Sequence, residues 1–544
     1  MNTRQLQTDK NQKLYHALLG ILLVCALAMM MLLSYWACKY SYYGAVDGRT
    51  RGVLVGDKTW AHIAFFLAAS LCAMGIDKVL MKKDKSQQEK ICLCTLIVTS
   101  VIAFILGVFY VCKNPYYPVG DQINTTAFAA YCRDGNFSML SIGGYVGMYQ
   151  QQKGLAILYE ILFTLFGDFN YRPAKILHVV WWILTILAGY GFLKLNTDRP
   201  VFRMLYCVMM LGCFPLLFYL PYIYGDVLSI SFGIILFYGV AAYEHSGQKR
   251  YIALASFAAG LAVLARKNTW IVLVAVAVYV LLVSLRKKKV RYLMAGTAIL
   301  LTAALSVKAV DVIYEVRSGY PSGVGIPSIL WVAMGLQETE GRAGVYNRYQ
   351  QATFTDYDCQ QELAAQQGKE YIRERLEEFS QDPGMAFNFF KNKVEGQWIE
   401  PMYAALESTE SFEEGAELSP VLESLYYGEL GRTIWKLTNY YQSILYLAGL
   451  MALVMLGILW WKKKEVPISL WLPWIAVFGG FLFSILWEAK SRYVFPYCVF
   501  MILYAPEGLY QTGLLLCKLP KLRKFKKSGH TQDKGEEASL RETA

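Results

Sequence analysis

The stretch GLAILYEILFTLFG, residues 154–167, decides how many times this chain crosses a membrane and on which side its other segments lie. It is apolar enough to be taken for a span. Yet its 14 residues, at about 1.5 Å of rise each, make a helix of only about 21 Å, short of the roughly 30 Å of bilayer hydrocarbon. Glu160 stands in its middle, where a charge facing lipid is costly. If the stretch crossed, every later loop would change sides. The RKKK cluster at Arg286–Lys289 and the KKK cluster at Lys462–Lys464 would then face outward, against the positive-inside bias. The stretch is therefore predicted to be a helix lying on the outer membrane surface.

Its surroundings make the membrane unavoidable. The 544 residues are 56% hydrophobic, 15% aromatic and only 17% charged, against about 25% charged in an ordinary soluble domain. Apolar runs recur between short polar breaks, and without water to bond their amides such runs must be helical. The net charge of +12 resides in short Lys/Arg clusters beside those runs. That placement reads as positive-inside topology and excludes a nucleic-acid groove. The 12 cysteines lie mostly inside apolar runs, without a zinc-type quartet. The first apolar run has no small-residue cleavage site and is expected to be a retained helix.

The fold class predicted is an all-α polytopic membrane protein with about a dozen spans. They are placed near 14–36, 60–80, 91–112, 174–195, 201–221, 227–244, 251–265, 269–285, 292–310, 441–461, 466–487 and 494–516. The organisation expected is two N-terminal spans in 1–90, a membrane core in 91–310, an external and mainly helical loop domain in 311–440, C-terminal spans in 441–516 and a basic cytoplasmic tail in 517–544. Within the loop domain an amphipathic stretch at 361–379 ends at Asp382-Pro383-Gly384, a helix stop.

Ionisable residues off the positive-inside pattern need a reason, and four groups fall at the outer ends of spans. Asp121 lies in KNPYYPVGDQINTTAFAAYCRDG after the third span, and Asp226 in LPYIYGDVLSISF at a later span end. The bland reading of either is a helix cap. Lys153, Arg172, Lys175, Arg266 and Lys267 form a basic group, with headgroup snorkelling as the bland reading. WEAKSRYVFPY, residues 487–497, brings Glu488, Lys490 and Arg492 to the side where basic residues are disfavoured. Two separated carboxylates and several cations on one membrane face suit a phosphate-bearing lipid. Arg and Lys can hold the phosphate, and a carboxylate can take a proton from an incoming hydroxyl. For the outer tyrosines Tyr116, Tyr117, Tyr145, Tyr149, Tyr222 and Tyr224, the ordinary interfacial belt outweighs sugar stacking.

These motifs, in this order, resemble the GT-C superfamily of membrane glycosyltransferases, in particular the protein mannosyltransferases and the lipid A aminoarabinose transferase. Asp121 corresponds to that family's acidic residue after a span, and 122–133 to its surface helix. Lys153 and the helix 154–167 follow, then FGDFNYR (166–172), Asp226, GLAVLARK with Arg266 and Lys267, and SRYVFPY near the carboxyl end. The likeness covers roughly 91–505, with Asp121-Gln122 standing where family members often have paired acids. It implies transfer of a sugar from a polyprenyl-phosphate donor to a hydroxyl of a glycan, lipid or protein, with inversion. Asp121 would be the general base, while Lys153, Asp226, Arg266, Lys267 and Arg492 would hold substrate. The metal ligands stay open, with Mg²⁺ or Mn²⁺ as the divalent ions such a site would take. The expected location is a cell membrane, the bacterial plasma membrane, with the site facing outward. The main alternative is a transporter or flippase of cell-envelope precursors, and a scaffold built on 311–440 is the third.

Overall fold

Backbone amides inside a bilayer can bond only to one another, so apolar runs of this length become helices. The computed structural model describes residues 3–43, 53–321 and 325–518; most of the expected basic tail, 517–544, lies outside them. The chain opens with α1 (Thr3–Lys39), α2 (Thr59–Leu80) and α3 (Lys85–Lys113). Two shorter helices follow, α4 (Asp121–Arg133) and α5 (Lys153–Phe166). Then come α6 (Arg172–Asn196), α7 (Pro200–Gly212), α8 (Asp226–Ser246), α9 (Lys249–Ala265), α10 (Trp270–Lys287) and α11 (Val290–Ser318). The long loop holds α12 (Ser328–Gly335), α13 (Gln361–Gln381) and α14 (Pro383–Trp398), and the chain closes with α15 (Glu429–Trp461), α16 (Leu472–Leu486), α17 (Ser491–Met501) and α18 (505–518). Among the described residues, paired strands occur only as two short hairpins, Tyr40–Tyr43 with Val53–Gly56 and Glu338–Thr339 with Arg342–Ala343.

Nine helices among the described residues are long and apolar enough to cross a membrane: α1, α2, α3, α6, α8, α10, α11, α15 and α16. The protein is a multi-pass, all-α membrane protein. Three predicted spans take another form. The run 201–221 becomes the 13-residue α7, a break at Cys213 and a short turn over Phe214–Phe218. Pro215 has no amide hydrogen to return to Leu211. The run 251–265 becomes the 17-residue α9, about 26 Å long. The run 494–516 is split at 502–504 into α17 and α18, beside Pro506, which cannot bond back to Ile502.

Polar contacts define the two ends of the bundle. At one end Arg199 meets Asp77 at 3.1 Å, Arg203 meets Glu89 at 2.5 Å, Lys287 meets Glu244 at 2.9 Å, and Ser469 donates to Asn196 at 2.8 Å. This basic end also carries the clusters at 82–85, 249–250, 286–289 and 462–464. At the opposite end Lys175 donates to the Tyr116 carbonyl at 2.7 Å, the His178 ring bonds the Leu220 carbonyl at 2.9 Å, and Arg266 meets Asp226 at 3.4 Å.

α5 behaves differently. Gly154 at its start lies against the carbonyl of Leu264, at the close of α9. Its buried Glu160 pairs with Arg317 at 2.5 Å and accepts from the Tyr314 hydroxyl at 3.3 Å, near the close of α11. Asp168, just beyond it, pairs with Arg133 at the end of α4. Both ends of α5 therefore sit at the end opposite the basic one.

The segment 311–440 divides between two environments. α11 already fills its first residues and α15 its last. Residues 326–390 contribute to two small separate cores: one around Leu330 and Phe354, which also takes in Met148 and Tyr149, and one around Phe379 and Phe389. From Val394 to Ala405 the chain joins the main core, where Trp398 is fully buried and donates to Ser484 Oγ at 3.0 Å.

Candidate active site

Asp121 owes its position to a turn. Gly120 has φ of 58°, a left-handed conformation that costs glycine little, and it caps α4. Asp121 is thus the first helical residue, and its exposed carboxylate accepts a hydrogen bond from the Tyr145 hydroxyl at 2.9 Å. It borders a cavity of about 640 Å³ at the end of the bundle opposite the basic one. The cavity lies where α4, the break between α9 and α10, the 346–351 segment and the α16–α17 connection meet.

Four of the six residues singled out from sequence line this cavity: Asp121, Arg266, Lys267 and Arg492. Arg266 ends α9 in an extended conformation, and Lys267 opens the 3₁₀ turn leading into α10. Arg492 is 6% exposed. It donates to the Tyr222 hydroxyl and lies over the rings of Tyr222, Tyr224 and Tyr493 at 5.2, 5.4 and 5.4 Å. Cation–π contacts with three rings hold the guanidinium in place at the cavity wall.

Asp226 sits behind these cations. It is 3% exposed, with Oδ1 3.4 Å from Arg266 Nη2 and 4.0 Å from Arg492 Nε. Its role in this geometry is to hold two guanidinium groups side by side. Lys153 is not brought to the cavity. It is buried and pairs with Asp311 on α11, because α5 starts hard against α9 and turns this side chain toward α11.

Several cavity residues had not been assigned a role from sequence. Glu488 is 7% exposed, and its carboxyl is pushed up to about 7 by burial, with Asp121 adding to the rise and Lys490 opposing it. Tyr493 bridges its two oxygens at 3.4 and 3.5 Å. Arg348 and Gln350 come from the long loop; Gln350 is 1% exposed, and its Oε1 has no hydrogen-bond partner among the described residues. Trp331 stacks on Trp487 at 5.8 Å and 4°. Of the tyrosines assigned to the interfacial belt, Tyr145, Tyr149 and Tyr224 line the cavity, Tyr116 and Tyr222 are buried, and Tyr117 packs on Tyr171. A short-range signal existed for Glu488, which shares its peptide with Arg492. None existed for Arg348 or Gln350, which reach the cavity only through the loop's tertiary path.

The lining holds five basic side chains (Arg266, Lys267, Arg348, Lys490, Arg492) and two acidic ones (Asp121, Glu488). Such an excess favours an anionic ligand, and flat aromatic walls favour a sugar face beside it. For a divalent cation the donor set is poor. Among the described residues no three His, Cys, Asp or Glu side chains gather to hold a metal, and Asp226 lies between guanidinium groups that fill a cation's place. No known protein family, no curated protein and no solved structure matches this chain.

Proposed function

We propose that the protein is a membrane glycosyltransferase of GT-C type. It moves a sugar from a polyprenyl-phosphate donor to a hydroxyl of a glycan, lipid or protein acceptor, at the outer face of a bacterial plasma membrane. In this reading α7 with its following turn, α9, and α17 with α18 complete twelve crossings, and α5 lies on the outer surface. The observation that carries the proposal is the exposed Asp121 carboxylate in a cavity with five cationic side chains, at the end of the bundle away from the basic clusters.

Asp121 takes the proton of the acceptor hydroxyl as that oxygen bonds to the anomeric carbon. The bond from that carbon to the phosphate oxygen breaks, and the electron pair leaves with the lipid phosphate. That leaving group needs no strong acid, but its charge needs donors, which Arg266, Lys267 and Arg492 are placed to supply. Arg348 and Lys490 extend the same basic wall.

The test is transfer in proteoliposomes supplied with polyprenyl-phosphate sugars. Asp121→Asn is expected to lower turnover by about 10²- to 10⁴-fold while donor binding and thermal unfolding stay near those of the parent. Undiminished turnover would remove Asp121 as the base. Movement of an unaltered lipid-linked sugar across the bilayer, without chemical turnover, would instead identify a flippase.

A further inference from the structure

At the basic end, α1, α8, α10 and α15 leave a second cavity of about 730 Å³. Along α8 it lies on the order of 27 Å from the candidate active site, the length of helix from Asp226 to Glu244. Its walls carry Arg286, Lys287, Lys288, Lys463 and Lys464 against only Glu244 and Glu465. Two of the five cations are engaged. Lys287 pairs with Glu244 at 2.9 Å, while Arg286 pairs with Glu465 at 3.4 Å and donates to the Val466 carbonyl at 2.8 Å. Glu244 is further held by the Tyr279 hydroxyl at 2.7 Å and the Ser469 amide at 2.9 Å, so both of its oxygens are occupied.

Lys288, Lys463 and Lys464 have no carboxylate within 4.0 Å among the described residues. Lys288 and Lys463 also take left-handed conformations, with φ of 50° and 52°, which residues other than glycine adopt reluctantly. These turns stop α10 and α15 abruptly and set three unpaired ammonium groups on one cavity. All three lysines are exposed at the mouth of this open recess; general attraction to an anionic membrane surface calls for positive charge, but it does not call for a recess between four helices. Exposed apolar side chains adjoin these lysines in the chain: Trp461 is 80% exposed and Val290 70%.

We propose that this cavity binds the phosphate of an anionic lipid headgroup. Free phosphate shares that chemistry, but the flanking apolar surface favours a phosphate that arrives on a lipid. The full-length protein in detergent would be titrated with short-chain phosphatidylglycerol, short-chain phosphatidylcholine and inorganic phosphate, with bound ligand counted by native mass spectrometry. Saturable binding of phosphatidylglycerol is expected, with little of phosphatidylcholine. The triple variant Lys288→Ala/Lys463→Ala/Lys464→Ala is expected to bind at least about tenfold more weakly, since it removes three of the five cations that line the cavity and charge-assisted contacts to phosphate are the strong ones. Lys82→Ala/Lys83→Ala/Lys85→Ala removes equal charge from the same end outside the cavity and is expected to keep the parent affinity. Equal weakening in both triple variants would overturn the proposal, as would binding of inorganic phosphate with no discrimination between the two lipids.

Discussion

Asp226 is a residue whose meaning depends on its neighbours. Alone at the start of a helix it could be only a cap, but in the fold it lies buried between Arg266 and Arg492. Removing one partner of a buried charge pair costs about 3–5 kcal/mol, largely because the other is left stranded. Arg266→Ala should therefore lower the thermal midpoint in detergent, and adding Asp226→Asn should recover part of the loss. If the double variant unfolds no later than the single one, the two groups are not coupled. Glu488 gives a pH signature. Burial pushes its carboxyl up to about 7, whereas an unfolded glutamate titrates near about 4.3. The folded chain thus holds an extra proton between those values, so stability falls as pH rises through that window and levels off above it. Glu400 and Glu407, two neighbouring buried carboxyls, are also raised chiefly by burial and act in the same direction. Glu488→Gln should flatten part of the slope and stabilise the protein at pH 8 relative to pH 5, on the order of 2 kcal/mol, measured by unfolding midpoints at the two pH values.

At the scale of elements, α5 and α14 carry the tertiary decisions. In α5 a glutamate in an apolar 14-residue helix argued from sequence against a crossing, but its partner was not legible. Arg317 lies 157 positions away and meets Glu160 only after α11 has been laid down. Glu160→Ala should cost on the order of 1–3 kcal/mol, since it strands a partly buried guanidinium, and should loosen α5 from α11, read as faster amide exchange across 153–166. α14 begins in the long loop and ends in the main core. Its Trp398 is fully buried against Ser484 and the Phe481 ring, 5.7 Å between centroids. Trp398→Ala should cost about 3–5 kcal/mol. If the loop is bound to the bundle through this residue, the variant should also expose 311–440 to proteolysis in detergent at temperatures where the parent resists.

For the whole molecule, the polar chemistry is partitioned by the helices themselves. α8, α10 and α16 each run from the neighbourhood of one cavity to that of the other, so the two cavities rich in basic side chains lie at opposite ends of the bundle. The proposed orientation makes a further prediction. In a cysteine-depleted chain, a cysteine at Asn124 should react with a membrane-impermeant thiol reagent on intact cells, and one at Lys288 only after permeabilisation. The opposite pattern would invert the assignment of faces, and the reading of an outward-facing transferase would go with it.

Local sequence sufficed for the membrane, the helices and most of their bounds, because lipid leaves an apolar backbone no alternative to its own hydrogen bonds. It also singled out Asp121, Arg266, Lys267 and Arg492 as candidates, because their types and positions at span ends are unusual in themselves. Tertiary structure alone decided that these four share a cavity, that Lys153 is turned away to Asp311, and that Arg348, Gln350 and Trp331 belong with them. Periodicity and charge bias act within a few turns of helix, whereas convergence depends on how distant helices pack. That packing joins residues hundreds of positions apart through contacts that leave no mark on either local sequence.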